Sequence, residues 1–269
     1  VHAIYHNTPS FPVPPGHSLA DIRDSFALSR IFNDFKPELV LHLAGITAVS
    51  HALALTEQDV REINVTASGT LAELANEHGA KIIYTSTDLV YDGSAGGNLK
   101  EDAPLNPLSL YGSTKLKGEK AVADNTDNYL ILRVALMYGF SKGKLKAFFQ
   151  EAYNKVKSGQ EVVLFHDQYR SSLLVNDGAR MLVELISKQH DHKLVNFGAA
   201  ERTSRADLFL RFVRQAGLDE SKLIFKSFRD IPHLPQVEDV SLDVSRLLSL
   251  GITPRSVEES LNEIISQEA

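Results

Sequence analysis

The 269-residue chain contains no cysteine, which excludes disulfides and thiolate metal centres and leaves a cytoplasmic setting as the default. No apolar run approaches the roughly 18 residues of a membrane span. The opening stretch VHAIYHNTPSFPVPPG lacks the basic–apolar–small order of a signal peptide. Positive charge is also not in excess. The net charge is −6 and the pI about 5.9, so no global basic field draws nucleic acid or an anionic membrane. The basic stretch SKGKLK at 141–146 reads as helix-start surface. There are 10 histidines but no H-E-x-x-H, and QHDHK at 189–193 resembles a solvated loop, so no metal site is expected. What is present is ordinary for a globular chain: 43% hydrophobic and 23% charged residues, enough for one large domain or a domain with a smaller lobe.

The first half alternates strand-like and helix-like blocks. VHAIY (1–5) is a short apolar strand, and DSFALSRIFNDF (24–35) has helical spacing and stops before Lys36-Pro37. ELVLHLAG (38–45) and AKIIYTST (80–87) are continuous apolar runs, as expected of strands buried on both faces. Between them a helix is predicted over about 57–78, opened by a Thr56/Asp59 capping box and closed by Gly79. A helix over 110–123 and a strand over 129–139 follow. Such alternation predicts a doubly wound parallel α/β sheet, Rossmann-like. Residues 1–140 are assigned to a dinucleotide-binding domain. Residues 141–269 are assigned mostly to a smaller α/β substrate-binding lobe, interleaved with the end of the sheet at about 161–200. In that part helices are expected near 143–158 and 176–188, strands at 161–165 and 194–198, and capped helices starting at Ser204 and Ser256.

A dinucleotide fold begins with a strand, a Gly-rich turn and a helix, yet no G-x-G-x-x-G lies near the start. The chain opens on what looks like the second strand, and roughly 25–30 residues, about one βα unit, are expected to precede it in the full protein.

Several residues stand out against this background. Val60, Ile63, Ala67, Leu71 and Leu74 form an apolar helical stripe, and Asn64 lies on it. A buried amide there must bridge backbone groups or an ordered water; the alternative is a helix-edge Asn in partial solvent. Thr85, Ser86, Thr87 and Asp88 place polar side chains at the end of strand 80–87, where ligands sit in open parallel sheets. A capping turn would use the same residue types. Ala44 and Gly45 make the tip of strand 38–45 small enough for close approach to the backbone. Tyr111 and Lys115 fall one helical turn apart. An ammonium there would lower the phenol from near 10 towards neutrality and make a usable proton donor. Alone, a Y-x-x-x-K pair is not diagnostic.

Together, LHLAGIT, the helical Asn64, YTSTDLVYDG, YGSTK and ILRVALMYG resemble the extended short-chain dehydrogenases/reductases in order and spacing. EDAPLNPLSLYGSTKLKGE, DQ at 167–168 and DVSLD at 239–243 followed by LGI-PRS-EE bring the chain closest to the dTDP-4-dehydrorhamnose reductase group. The resemblance implies that Thr87 sits beside the substrate carbonyl, Tyr111 donates the proton, Lys115 tunes it and holds the nicotinamide ribose, and Asn64 is the structural amide of the proton relay. It implies an adenine contact at Asp21 and Ile22. Leu43, Ala44, Gly45, Thr47 and Thr85 join Tyr111 and Lys115 in the cofactor-binding set. Thr87, Asp88 and Arg170 form the substrate set.

The chain also departs from the group. YHN at 5–7 replaces the usual ribose-binding acid, which tilts the cofactor slightly towards NADP over NAD, with His6 facing the 2′-phosphate. PQVED places Gln236 where the group has an arginine, which weakens the case for a nucleotide-diphosphate sugar, with Arg170 as a substitute. Thr87 is followed by Asp88 and Leu89, and leucine cannot abstract a proton, which argues against dehydration. The expected activity is NAD(P)H-dependent reduction of a keto group on a small substrate such as a nucleotide sugar. An epimerase remains open, as does a non-catalytic partner subunit like the regulatory subunit of methionine adenosyltransferase. A homodimer is compatible with either.

Overall fold

The computed structural model describes residues 1–7, 13–46, 55–141, 147–231 and 237–266. Thr47 and Gln236 lie outside them. The chain divides into two units, the first comprising 1–90, 106–133 and 192–194, the second 91–105, 134–191 and 195–269.

In the first unit the short strands β1 (Ala3–Tyr5) and β2 (His17–Leu19) pair in parallel. Helix α1 (Ser25–Phe35) starts where the Asp24 carboxylate accepts from the Ala27 N–H at 2.9 Å. It ends at Lys36, left-handed at φ 49°, just ahead of Pro37. Strand β3 (Leu39–His42) follows. The predicted capping box forms at α2 (Glu57–Arg61), with Thr56 and Asp59 bonding reciprocally. The single helix expected over 57–78 is instead interrupted. Residues Glu62–Thr66 wind as one π turn before α3 (Ala67–Glu77) resumes. Gly79, at φ 68°, closes the helix as expected.

Strand β4 (Lys81–Thr87) runs parallel to β3, with His42 opposite Tyr84. Helix α4 (Leu110–Asn125) begins with the Ser109 hydroxyl accepting from the Gly112 N–H, and β5 (Tyr129–Val134) completes the pattern. The expected strand at 129–139 breaks after Val134. The core of this unit gathers Leu28 and Phe32 of α1, Leu71 and Ala75 of α3, Ile82 and Tyr84 of β4, Val122 of α4 and Ile131 of β5.

The second unit contains β6 (Met137–Tyr138), α5 (Phe148–Lys157), β7 (Val162–Phe165), β8 (Tyr169–Arg170), β9 (Leu173–Leu174) and α6 (Val175–Ser187). Next come β10 (Leu194–Phe197), β11 (Thr203–Ser204), α7 (Arg205–Gln215), β12 (Leu223–Lys226), α8 (Ser245–Ser249) and α9 (Val257–Ser266). Here β6 pairs with β9 and β12 with β7 in parallel, and β11 with β8 antiparallel. The Ser204 hydroxyl caps α7 at the Asp207 N–H, and Ser256 with Glu259 caps α9. The core is aromatic: Phe149, Tyr153, Phe209 and Phe212 cluster, with the Phe149 and Phe212 rings 4.8 Å apart. Within the first unit the strands lie side by side in the order β5-β4-β3. The fold is α/β with a parallel, Rossmann-like sheet.

Candidate active site

The carboxyl ends of β3 and β4 place the polar residues of the first unit. The Thr85 hydroxyl donates to the His42 carbonyl at 3.1 Å, which ties the two strand tips together. Thr87 and Asp88 are buried. The Thr87 hydroxyl donates to the Asp88 carboxylate at 3.1 Å and accepts from the Leu89 N–H at 3.2 Å.

Tyr111 enters from the first turn of α4 and packs in a small cluster with Val60, Ile46 and Leu89. Burial pushes its phenol up to about 12; the Thr87 hydroxyl draws it down and the Asp88 carboxylate adds to the rise. Loss of solvation is the largest cause of that rise, and Lys115 itself is desolvated. Burial holds Lys115 down at about 7 against the opposing pull of Glu119. Its Nζ lies 4.1 Å from the centre of the Tyr84 ring.

Asn64 is buried on the π turn. Its Oδ1 accepts from the Ile46 N–H at 2.9 Å, and its Nδ2 donates to the Thr114 hydroxyl at 3.1 Å and the Ile46 carbonyl at 3.4 Å. Thr114 in turn donates to the Tyr111 carbonyl at 3.0 Å. One amide thus links the loop after β3 to the turn of α4 that carries Tyr111 and Lys115. The backbone-bridging expectation is met, and the helix-edge alternative is not. A π turn is a recurrent local device at functional positions.

Beneath these residues lies a layer that sequence reasoning missed. The Ser68 hydroxyl donates to the Asn64 carbonyl at 2.9 Å, and His42 Nε2 stands 2.9 Å from Ser68 Oγ. Burial, with repulsion from Lys115, pushes His42 down to about 3, so its ring is neutral. The Tyr84 hydroxyl reaches the carbonyls of Asn64 and Lys115 at 3.5 and 3.4 Å. Arg133 donates to both oxygens of buried Glu119, at 3.1 and 2.9 Å, and Ser86 donates to the same carboxylate at 2.5 Å. The available signal was an arginine inside the apolar strand YLILRV.

At the tip of β3, Leu43 and Ala44 are exposed and Gly45 is half-buried. A Cβ on Gly45, whose φ is 157°, would lie 2.9 Å from Asn64 Oδ1 and 3.9 Å from Lys115 Nζ. Only a glycine leaves this space open, and a flat ring fits against such a backbone. The residues therefore suit a dinucleotide. Asp21 is gripped by the Arg23 guanidinium at 2.6 Å and faced by His6 at 3.7 Å. Those Arg23 bonds come first among the causes that hold its carboxyl at about 2. Ile22, beside it, is half-buried. Arg170 belongs to the second unit, where its guanidinium donates to the backbone carbonyls of Tyr169, Glu238 and Val237.

The sequence profile described as RmlD substrate binding domain matches residues 8–269. The chain belongs to the RmlD substrate binding domain family. Its structural neighbours are dTDP-4-dehydrorhamnose reductases and related extended short-chain dehydrogenase/reductase enzymes. A reductase of this kind from Clostridium acetobutylicum superposes with a TM-score of 0.83 at 28% identity, covering 94% of this chain and 90% of that one. The Bacillus anthracis reductase, solved in complex with NADP, gives a TM-score of 0.84 over 93% of this chain and 88% of that one; at 21% identity the likeness is one of fold. Among curated relatives of this RmlD-family chain, methionine adenosyltransferase 2 subunit beta of Bos taurus is 30% identical over 251 residues. That alignment spans 90% of this chain and 73% of the relative.

Proposed function

We propose that this protein is a reductase of a keto group on a nucleotide sugar or similar small substrate, with Tyr111 as the proton donor. What supports the reading is the Thr87 hydroxyl bonding to the Tyr111 phenol, with Lys115 one helical turn on and Asn64 holding that turn through Thr114. NADP, favoured over NAD by the missing acid at 5–7 and held by Bacillus anthracis reductase, supplies a hydride to the ketone carbon when bound in its reduced form. Leu43, Ala44, Gly45 and Thr85 would hold it, with Asp21 and Ile22 towards the adenine; Thr47, also assigned to this set, lies outside the described residues. Thr87 orients the substrate oxygen with its hydroxyl, beside Asp88. Tyr111, with a raised pKa, is fully protonated at neutral pH and serves as acid rather than base. Its proton would pass to the substrate oxygen to complete the alcohol, which leaves Tyr111 as a phenolate. The Lys115 ammonium compensates that phenolate.

A second reading is favoured by the methionine adenosyltransferase relative: the same site serves a partner subunit that binds the cofactor without turnover. Tyr111→Phe separates the two. With dTDP-4-dehydrorhamnose and NADPH, the variant is expected to lose on the order of 10²–10⁴-fold in kcat while its NADPH affinity stays within about twofold of wild type. Wild-type protein that binds NADPH but oxidises none with this substrate supports the subunit reading instead.

A further inference from the structure

Tyr84 lies in the middle of β4 and is 0% exposed, yet the reaction described above makes no use of it. Burial pushes its phenol well above the usual range, so the ring is neutral. Its two ends meet different partners. The hydroxyl reaches the carbonyls of Asn64 on the π turn and Lys115 on α4, at 3.5 and 3.4 Å. The face of the ring meets the Lys115 ammonium, whose Nζ lies 4.1 Å from the ring centre. Where α4 crosses this ring it carries Gly118; a Cβ there would strike the Tyr84 hydroxyl and lie 2.9 Å from its Cζ.

The titratable groups around the ammonium are few. His42 of β3, its ring 5.3 Å from that of Tyr84, is neutral. Tyr111, one turn back on α4, keeps its proton at neutral pH, and Asp88 just past β4 acts on that phenol. Glu119, one turn on, pulls on the ammonium, but its oxygens are occupied by Arg133 of β5 and Ser86 of β4. An ammonium withdrawn from water is costly. An aromatic face within about 6 Å offsets part of that cost, and more so in a dry site. The face does this without net charge. A carboxylate in the same place would repel a phenolate forming at Tyr111, whereas a neutral ring leaves the field of the ammonium available to it.

We propose that Tyr84 is a positioning residue whose ring face seats the Lys115 ammonium, holding it charged and in place one turn from Tyr111. The inference rests on the role given to Lys115 in the reductase reading, and every residue it uses belongs to the first unit.

The test grades the ring while keeping its shape. Tyr84→Phe removes the hydroxyl; 4-fluoro-, 3,5-difluoro- and 3,4,5-trifluorophenylalanine at position 84 then drain the face of negative potential in steps. Lys115 is titrated in the full chain by NMR of ¹³Cε-labelled lysine, its signal assigned with Lys115→Met. Tyr84→Phe should leave the midpoint near that of wild type. Each fluorine is expected to lower it, by about one pH unit across the series. The fall of kcat with rising pH, followed with NADPH and dTDP-4-dehydrorhamnose, should move by the same steps. If Tyr84→Phe does not fold by circular dichroism, 3-fluoro- and 3,5-difluorotyrosine carry the same series. A midpoint that ignores fluorination, or that drops with the hydroxyl and stays there, overturns the proposal, because packing alone gives that result. A graded midpoint in a protein that oxidises no NADPH sinks the reductase reading and leaves the seat standing. Turnover by a series whose midpoint stays fixed does the reverse.

Discussion

Lys115 carries its ammonium where water hardly reaches, and that placement has a measurable consequence. Its folded pKa, about 7, lies below the ordinary 10.5. Between those values the unfolded chain binds more protons than the folded one, so stability rises with pH through this window. Below pH 7 the full cost of the buried charge is present. Lys115→Met removes the titrating group. Urea midpoints at pH 6, 8 and 10 are expected to show the variant more stable than wild type at pH 6, with the advantage shrinking towards pH 10. A constant difference across that range would show that Lys115 is not desolvated as described. At this scale the sequence disclosed residue types and spacing: Tyr111, Lys115 and Asn64 stood out, and Asn64 does bridge backbone groups. The direction of the Tyr111 shift was illegible, because solvation loss depends on what surrounds a side chain after folding.

At the scale of elements, α4 fits tightly against its neighbours. A Cβ on Gly118 would run into the Tyr84 hydroxyl and lie 2.5 Å from the Asn64 carbonyl on the π turn. Gly118→Ala therefore gains helix propensity but overpacks a buried contact. A net destabilisation of about 1–3 kcal/mol is expected by urea denaturation. The helix that carries Tyr111 and Lys115 would also shift, so kcat should fall with it; a stabilised or fully active variant would refute this packing. Capping boxes and a helix-ending glycine were legible because they are local: Thr56 with Asp59, Ser256 with Glu259 and Gly79 act within a few residues. The π turn was not. The apolar stripe keeps its spacing through residues 57–78, and the extra backbone residue is absorbed where Asn64 reaches across to Ile46 and Thr114.

At the scale of the whole molecule, each unit has its own interior. In the second unit Phe212 is 1% exposed and its ring lies within 7 Å of those of Phe140, Phe149, Tyr153 and Phe209. Phe212→Ala is expected to cost about 3–5 kcal/mol in urea denaturation at pH 7, since so many rings cannot collapse into the void together. A loss under about 1 kcal/mol would contradict the packing. The alternation of apolar runs and helical stripes made the parallel α/β sheet legible in advance. The same pattern could not tell Arg170 from Arg205. Arg170 stands alone in its segment and Arg205 among Arg202, Arg211 and Arg214, and only the folded surroundings send one to backbone carbonyls and the other to an apolar pocket.

By itself the sequence determined what is short-range or periodic: the order of strands and helices, their caps, and a tyrosine and lysine one turn apart. Those follow from backbone geometry and the spacing of apolar residues. Tertiary structure decided which polar groups lose water and which partners they meet across 18 to 50 positions, as Asn64 meets Ile46 and Thr114. It pushed the Tyr111 phenol up, kept His42 neutral and joined Glu119 to Arg133. Burial and long-range contact exist only once the chain has folded, and they set the chemistry of this site.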